Sequence, residues 1–326
     1  MIPQYVRGSI APVFTAFNAD GSLDDDGQRN LLDFLLDRGG VSAFFLRCGM
    51  GQMYTFTCDD VRQIAATACT HMAGKAPVLV GSAGEWDRSR DKLPDPAVYL
   101  KQGIELGKFA EDQGADAVVY TIPEAIAPTD GQTPADVVLT YFEALNEALR
   151  GPIFIYQSPG TLNEYCVSID TVRKLADMPK VKGMKASTTN AHYIFNTTWA
   201  LQDKDDFAFI SGAESAFLTG LVTGSKAVIG QGATINPKIL NAIQDRYEAG
   251  DLAGAIEAQR ATNLLCEECG NPVEFFKRYA VENGYTVQPY RRGTGTDAYG
   301  IGDVTLSQEE YDTFKALLEA ENAKAV

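Results

Sequence analysis

The chain has 326 residues, with 28 Lys and Arg against 43 Asp and Glu, for a formal charge of −15. Such an excess of negative charge excludes a sequence-independent grip on nucleic acid, which is held mainly through its phosphates. It also means that an anionic small molecule has to be met by local donors rather than by long-range attraction.

Ser9-Ile10-Ala11-Pro12-Val13-Phe14-Thr15 reads as a first buried strand, ended by the turn Asn18-Ala19-Asp20-Gly21. Residues 24–38 carry Leu31, Leu32, Phe34, Leu35 and Leu36 at helical spacing, and Gly39-Gly40 stops them. Ser42-Ala43-Phe44-Phe45-Leu46 is the next apolar run, ending in Arg47-Cys48-Gly49-Met50-Gly51-Gln52. A helix is expected over 58–72, with Thr57 as its N-cap. Pro77-Val78-Leu79-Val80-Gly81 predicts a third strand, and the polar, proline-containing residues 85–96 a long loop. The pattern then repeats: helix 98–113, strand 117–120, helix 134–149, strand 152–156, helix 168–176, strand 181–185, helix 194–201, strand 207–210, helix 216–222, strand 227–229 and helix 237–247.

Eight alternations of short apolar strand and amphipathic helix, the strands apolar on both faces, predict an α/β fold: a closed (β/α)8 TIM barrel of parallel strands. An open doubly wound sheet is the alternative, but no GxGxxG follows the first strand. After residue 250 the strands cease, and 252–268, 272–282 and 306–321 are helical. The expected organisation is therefore a barrel over 1–249 with an all-helical extension over 250–326. Between its last two helices lies a glycine-rich polar stretch, 285–304, in which Arg291-Arg292 could close over the site or an interface, though a solvated basic pair is the expected reading.

No apolar run approaches the roughly 20 residues of a membrane span, so no membrane partner is expected. Residues 1–7 lack the layout of a secretory leader, and the expected location is the cytoplasm. The six cysteines, at 48, 58, 69, 166, 266 and 269, are scattered. Cys266 and Cys269 form a CxxC, but a zinc site takes about four ligands and only His71 and His192 could add to it. No metal is expected.

Barrel enzymes draw their reactive groups from the C-terminal ends of the strands, where this chain has Tyr156, Lys185, the 48–52 turn and Ser211-Gly212. A lysine in an apolar setting loses its charge, and the neutral amine attacks carbonyl carbons. A tyrosine hydroxyl can relay protons in that chemistry. The plain alternative for Lys185 is a strand-end lysine reaching into water. Arg47 could bind a distal carboxylate or hydroxyl at the barrel mouth, or pair with an acidic neighbour. His192 and Tyr193 could contact substrate, or sit on the surface. Trp86 could wall the pocket or pack beneath the long loop. Ser158 has no His/Asp context for a hydrolytic triad.

In order and spacing, "PVFTAFNADGSLD", "CGMGQ", "YQSPG", "GMKAS", "ISGAE" and "KAVIGQGATINP" resemble the class I, Schiff-base-forming lyases that include dihydrodipicolinate synthase and N-acetylneuraminate lyase. The resemblance covers nearly the whole chain. It implies that Lys185 forms an imine with a 2-oxo acid and that Tyr156 shuttles the proton. It further implies that the Gly49 and Met50 N–H groups hold the substrate carboxylate, and that the Ile229 carbonyl lies near the lysine. No dissociable cofactor is implied, and the chain is expected to be a homo-oligomer, dimer or tetramer.

Departures stand beside the matches. Gly49 and Met50 replace the threonine pair of the family's GTTGE turn, and Gln52 replaces its glutamate. Ala125 replaces a relay tyrosine, and Thr161 replaces an arginine that grips a second substrate's carboxylate in dihydrodipicolinate synthase. Imine chemistry is retained, while the specificity set is not. The reading is thus a lyase, synthase or dehydratase acting on pyruvate or a 2-oxo-3-deoxy sugar acid. The alternatives are a family member that only binds a 2-oxo acid, as sensor or scaffold, and a phosphate- or flavin-binding barrel using "GQGAT".

Overall fold

A computed structural model describes residues 1–292 and 306–325. Eight parallel strands close into a barrel in chain order, β8 returning to pair with β1. The strands are β1 (Gly8–Pro12), β2 (Val41–Leu46), β3 (Val78–Gly81), β4 (Ala117–Thr121), β5 (Ile153–Gln157), β6 (Val181–Ala186), β7 (Ala208–Ser211) and β8 (Ala227–Val228). Around them run α1 (Asp25–Arg38), α2 (Cys58–Met72), α3 (Pro96–Asp112), α4 (Pro134–Ala148), α5 (Ile169–Ala176), α6 (Ala191–Ala200) and α7 (Phe217–Thr223). The short α8 (Gly232–Ile235) and α9 (Pro237–Glu248) follow β8. Closure rules out the open-sheet alternative.

Successive side chains on a strand point to opposite faces, so each strand here serves two cores. Ala43 and Phe45 of β2, Leu79 of β3, Val119 of β4, Phe154 and Tyr156 of β5 and Ile210 of β7 fill the barrel interior. Phe44, Leu46, Val78, Val80, Val118, Tyr120, Ile155 and Met184 instead face the helices. Burial on both faces is why these strands read as unbroken apolar runs. On β6 the interior parity falls on Gly183 and Lys185. A Cβ at Gly183 would lie 2.5 Å from the Ala208 carbonyl and 3.0 Å from the Phe154 ring, so this layer of the interior admits only glycine.

The start of α2 is fixed as the sequence suggested. Thr57 caps α2 in a reciprocal box, its hydroxyl accepting the Asp60 N–H while the Asp60 carboxylate accepts that of Thr57.

Among the described residues three further helices follow, α10 (Leu252–Glu268), α11 (Pro272–Glu282) and α12 (Gln308–Ala325). Phe276 of α11 packs edge-on to Phe14 at 5.5 Å and beside Phe34 of α1 at 5.2 Å. Phe275 meets Tyr311 and Phe314 of α12. These aromatic rings join the extension to the apolar shell around the barrel. Arg292 departs from the expected solvated basic pair. Its guanidinium bonds Asp60 at 2.7 Å and lies 5.0 Å from the centroid of the Phe17 ring. The part of the glycine-rich stretch over 293–304 lies outside the described residues. Among the described residues no helix is long and apolar enough to cross a membrane.

Candidate active site

Tyr156 and Lys185 are register partners on β5 and β6. Tyr156 belongs to the barrel interior and stands edge-on to Phe45 at 5.9 Å. The Lys185 Nζ lies 4.0 Å from the centroid of the Tyr156 ring, and the residue is 6% exposed. It is therefore not a strand-end lysine reaching into water. Burial lowers its pKa from 10.5 to about 8, against the weaker opposing pull of Cys48 and Glu214. At pH 7 such an amine is neutral in roughly a tenth of molecules, against well under a thousandth for an ordinary lysine.

A second buried lysine, Lys277 on α11, is also lowered to about 8, mainly by burial. Its Nζ, however, donates to the Tyr290 carbonyl at 2.5 Å and faces the Phe17 ring. Lys185 differs in sitting among the interior side chains at the C-terminal ends of the strands.

The turn after β2 is built from backbone. The N–H groups of Gly51 and Met53 donate to the Cys48 carbonyl, and that of Gln52 to Gly49. Arg47 and Gln52 bracket it in left-handed conformations, φ 48 and 61. Gly51 lies against β1, where a Cβ would come within 2.9 Å of the Val13 carbonyl, and the Thr15 hydroxyl donates to the Gly51 carbonyl at 2.7 Å. The Gly49 N–H meets no backbone acceptor among the described residues, and the Met50 N–H is met only by the sulfur of Cys48; a weak sulfur acceptor leaves the turn suited to a backbone anion nest. The Cys48 thiol, beneath this turn, is pushed up to about 11 by burial and stays neutral.

Ile229 follows β8 and belongs to the same interior cluster as Tyr156; its N–H donates to the Ser211 carbonyl at 2.9 Å. Among the described residues Arg47 forms no salt bridge with an acid, and it is buried. It donates to the carbonyls of Gly81, Ala83 and Gly84 beyond β3, and burial lowers its pKa. It shares with Tyr54, Trp86, Tyr99 and Tyr156 a cavity of about 20 Å³, room for about one water-sized group. Trp86 both walls this cavity and packs under the loop, its indole N–H donating to Ser89. His192 lies apart from these groups, exposed in the first turn of α6, with its ring against Asn196. Tyr193 pins the outer layer, its hydroxyl donating to Gln157 Oε1 and the Val167 carbonyl.

Several groups here were not singled out from the sequence. Tyr54 stands 3.4 Å from Ser158 through their hydroxyls. Glu124, after β4, is buried and paired with Arg88 and Arg90 of the long loop. Two arginines in a loop leaving a strand's C-terminal end were the available signal. Glu214 is buried near Lys185 and accepts the Gly232 N–H at 3.0 Å. The "GQGAT" turn is thus occupied by the protein's own carboxylate, which disfavours a phosphate there. Cys266 donates to Glu214, and both thiols of the CxxC are free, with burial raising them. Among the described residues no group of three His, Cys, Asp or Glu could hold a metal ion.

Residues 5–277 match the model of the dihydrodipicolinate synthetase family. The chain belongs to that family. It is 27% identical over 276 residues to a 4-hydroxy-tetrahydrodipicolinate synthase of Dechloromonas aromatica, covering 83% of this chain and 87% of the relative. It is 30% identical over 210 residues to a protein of Streptomyces avermitilis named a probable 5-dehydro-4-deoxyglucarate dehydratase, covering 64% and 56%. Among solved structures it is similar to YagE of E. coli K12, a prophage protein of the dihydrodipicolinic acid synthase family in complex with pyruvate. That likeness has a TM-score of 0.77 at 21% identity and covers 96% and 98% of the two chains. This member of the dihydrodipicolinate synthetase family is an enzyme of the aldolase-type lyase and synthase class.

The structure gives physical content to its departures from the family pattern. Gln52 donates to the Arg292 carbonyl at 2.6 Å and accepts its N–H at 3.2 Å; an ionised glutamate could only accept. Ala125 is fully buried in the apolar shell and brings no hydroxyl. Thr161 closes its own turn, its hydroxyl donating to the Ser158 carbonyl at 2.8 Å.

Proposed function

We propose that the protein is a Schiff-base-forming lyase or dehydratase acting on pyruvate or a 2-oxo-3-deoxy sugar acid. The observation that carries this reading is the Lys185 amine, buried, lowered to about 8 and 4.0 Å from the Tyr156 ring. The neutral amine adds to C2 of the 2-oxo acid, and loss of water from the carbinolamine leaves an iminium. The iminium accepts the electron pair released when C3 loses a proton or the C3–C4 bond breaks. From the resulting enamine a C4 hydroxyl can leave as water. The iminium itself is the electron sink, so the reading invokes no cofactor or metal.

In this reading Tyr156 relays protons to and from the departing oxygen. The Gly49 and Met50 N–H groups receive the C1 carboxylate, and the Ile229 carbonyl faces the imine. Arg47 holds the β2 and β3 ends in shape, and His192 has no part. A cytoplasmic location agrees with six free cysteines. Self-association as a dimer or tetramer has a candidate surface in the exposed, stacked Phe195 and Trp199 of α6.

The buried Ala125, where a relay hydroxyl would be expected, supports a second reading in which the protein binds a 2-oxo acid without turning it over. Borohydride reduction in the presence of pyruvate, combined with a turnover assay on 2-oxo-3-deoxy aldonic and aldaric acids, decides between them. A reduced adduct with turnover supports the lyase, and an adduct without turnover supports the binder. The absence of an adduct excludes the imine-forming lyase.

A further inference from the structure

We propose that Arg88 holds the distal carboxylate of a dicarboxylic 2-oxo acid whose C2 is joined to Lys185, an assignment that rests on the imine reading above. Residues 82–95 leave the C-terminal end of β3 and carry Arg88 and Arg90 onto Glu124, whose side chain is 3% exposed. The two arginines are used differently. Arg90 donates to Glu124 Oε1 at 3.2 Å and to the Gly160 carbonyl at 3.0 Å, clasping the loop to the turn after β5. Glu124 Oε1 also accepts the Leu162 N–H at 2.8 Å. Arg88 makes one long contact with Glu124, at 3.4 Å, and its buried Nε meets no acceptor among the described residues.

The Arg88 side chain is 9% exposed, and its backbone is held in the left-handed region at φ 65, which a non-glycine residue adopts only when its surroundings impose it. The guanidinium lies 5.3 Å from the centroid of the Tyr54 ring. Tyr54 lines the same cavity as Tyr156, and its hydroxyl stands 3.4 Å from that of Ser158, two residues beyond Tyr156. Arg88 is thus linked to Lys185 by way of Tyr54 and Tyr156, on the side of the far end of a substrate rather than of its reacting carbon.

Charge and shape select the ligand. The Glu124 carboxylate is shared between the buried Arg88 and Arg90, whose side chain is 42% exposed, so Arg88 has less than a full counter-charge, and a buried charge calls for a partner. A carboxylate carries one negative charge and matches the planar fork of a guanidinium. A phosphate dianion would overcompensate it. Thr161 supplies no guanidinium from the "YQSPG" turn, so Arg88 brings one to that turn from a different loop.

The test is borohydride trapping with pairs of equal chain length: 2-oxoadipate against 2-oxohexanoate, and 2-oxoglutarate against 2-oxopentanoate, with adduct formation followed by intact mass. In the wild-type protein the dicarboxylates should half-saturate at least about tenfold lower than their partners, as expected of a charge-assisted contact. Arg88→Met should bring that ratio close to one. Arg88→Lys keeps the charge but loses the fork and the Nε donor, and should lose most of the preference. It also serves as the test if Arg88→Met does not fold. Equal trapping of the paired acids by the wild-type protein, with pyruvate still trapped, overturns the assignment and leaves the imine reading standing. So does an undiminished preference in either variant. Failure to trap pyruvate at all removes both.

Discussion

Tyr156 and Lys185 are paired in register on adjacent strands, and the lysine amine faces the tyrosine ring at 4.0 Å from its centroid. The ring and the hydroxyl of Tyr156 therefore have separable jobs. The ring is part of the wall that desolvates the amine, and the hydroxyl is the proposed proton relay. Tyr156→Phe keeps the wall and its edge-on contact with Phe45. Imine trapping should persist in this variant, while turnover falls about a hundred- to ten-thousand-fold, the usual contribution of a positioned acid–base group. Loss of trapping together with turnover would assign the hydroxyl to imine formation instead.

The depressed Lys185 pKa predicts two pH dependences of the same sign, one in rate and one in stability. Trapping requires the neutral amine, so its rate should rise through about pH 8 and level off above it. Stability follows from the same titration. Below about 8 both folded and unfolded chains hold the proton, and the folded chain bears the whole cost of a buried ammonium. Between about 8 and 10.5 the unfolded chain binds a proton that the folded one has released, so this residue's contribution to stability improves as pH rises. Lys185→Met should therefore stabilise the protein at pH 7, by up to roughly 3 kcal/mol, with the difference closing above pH 10. Urea unfolding at the two pH values measures it, and a variant less stable at pH 7 would contradict the desolvation argument.

Gly183 shares the interior face of β6 with Lys185, and the space beside it is filled by the Ala208 carbonyl and the Phe154 ring. Gly183→Ala should cost about 1–3 kcal/mol, the usual range for overpacking a filled core. Because Phe154 lies two residues before Tyr156, the variant should also slow trapping. A urea midpoint and trapping rate equal to wild type would show that the interior yields more easily than its geometry indicates.

Much of this was legible in the sequence because parallel barrel strands are buried twice over, so that Phe44-Phe45-Leu46 or Ile153-Phe154-Ile155 cannot be mistaken for exposed edges. The position of Lys185 and Tyr156 at strand ends follows from the same pattern, and the pairing of the two residues from their order. What escaped were groups whose meaning depends on partners far along the chain. Arg88 and Arg90 read as ordinary loop charges until Glu124 and Gly160 are brought against them. Arg292 read as solvated because its partners, Gln52 and Asp60, are more than two hundred residues away. His192 was drawn toward the site by its closeness to Lys185 in sequence. Asn190, however, caps α6, and the first turn of that helix carries the ring outward.

The most direct measurement is the location of the pyruvate adduct after borohydride reduction and peptide mapping, because the chain contains two buried lysines lowered to about 8. Low basicity alone would mark Lys185 and Lys277 equally. Position at the strand ends, beside Tyr156 and the Gly49–Met50 turn, marks only Lys185. The expected result is a single adduct on the peptide containing Lys185, absent from Lys185→Met and retained in Lys277→Met. An adduct on Lys277, or none on either peptide, would contradict the assignment of Lys185 as the imine-forming residue.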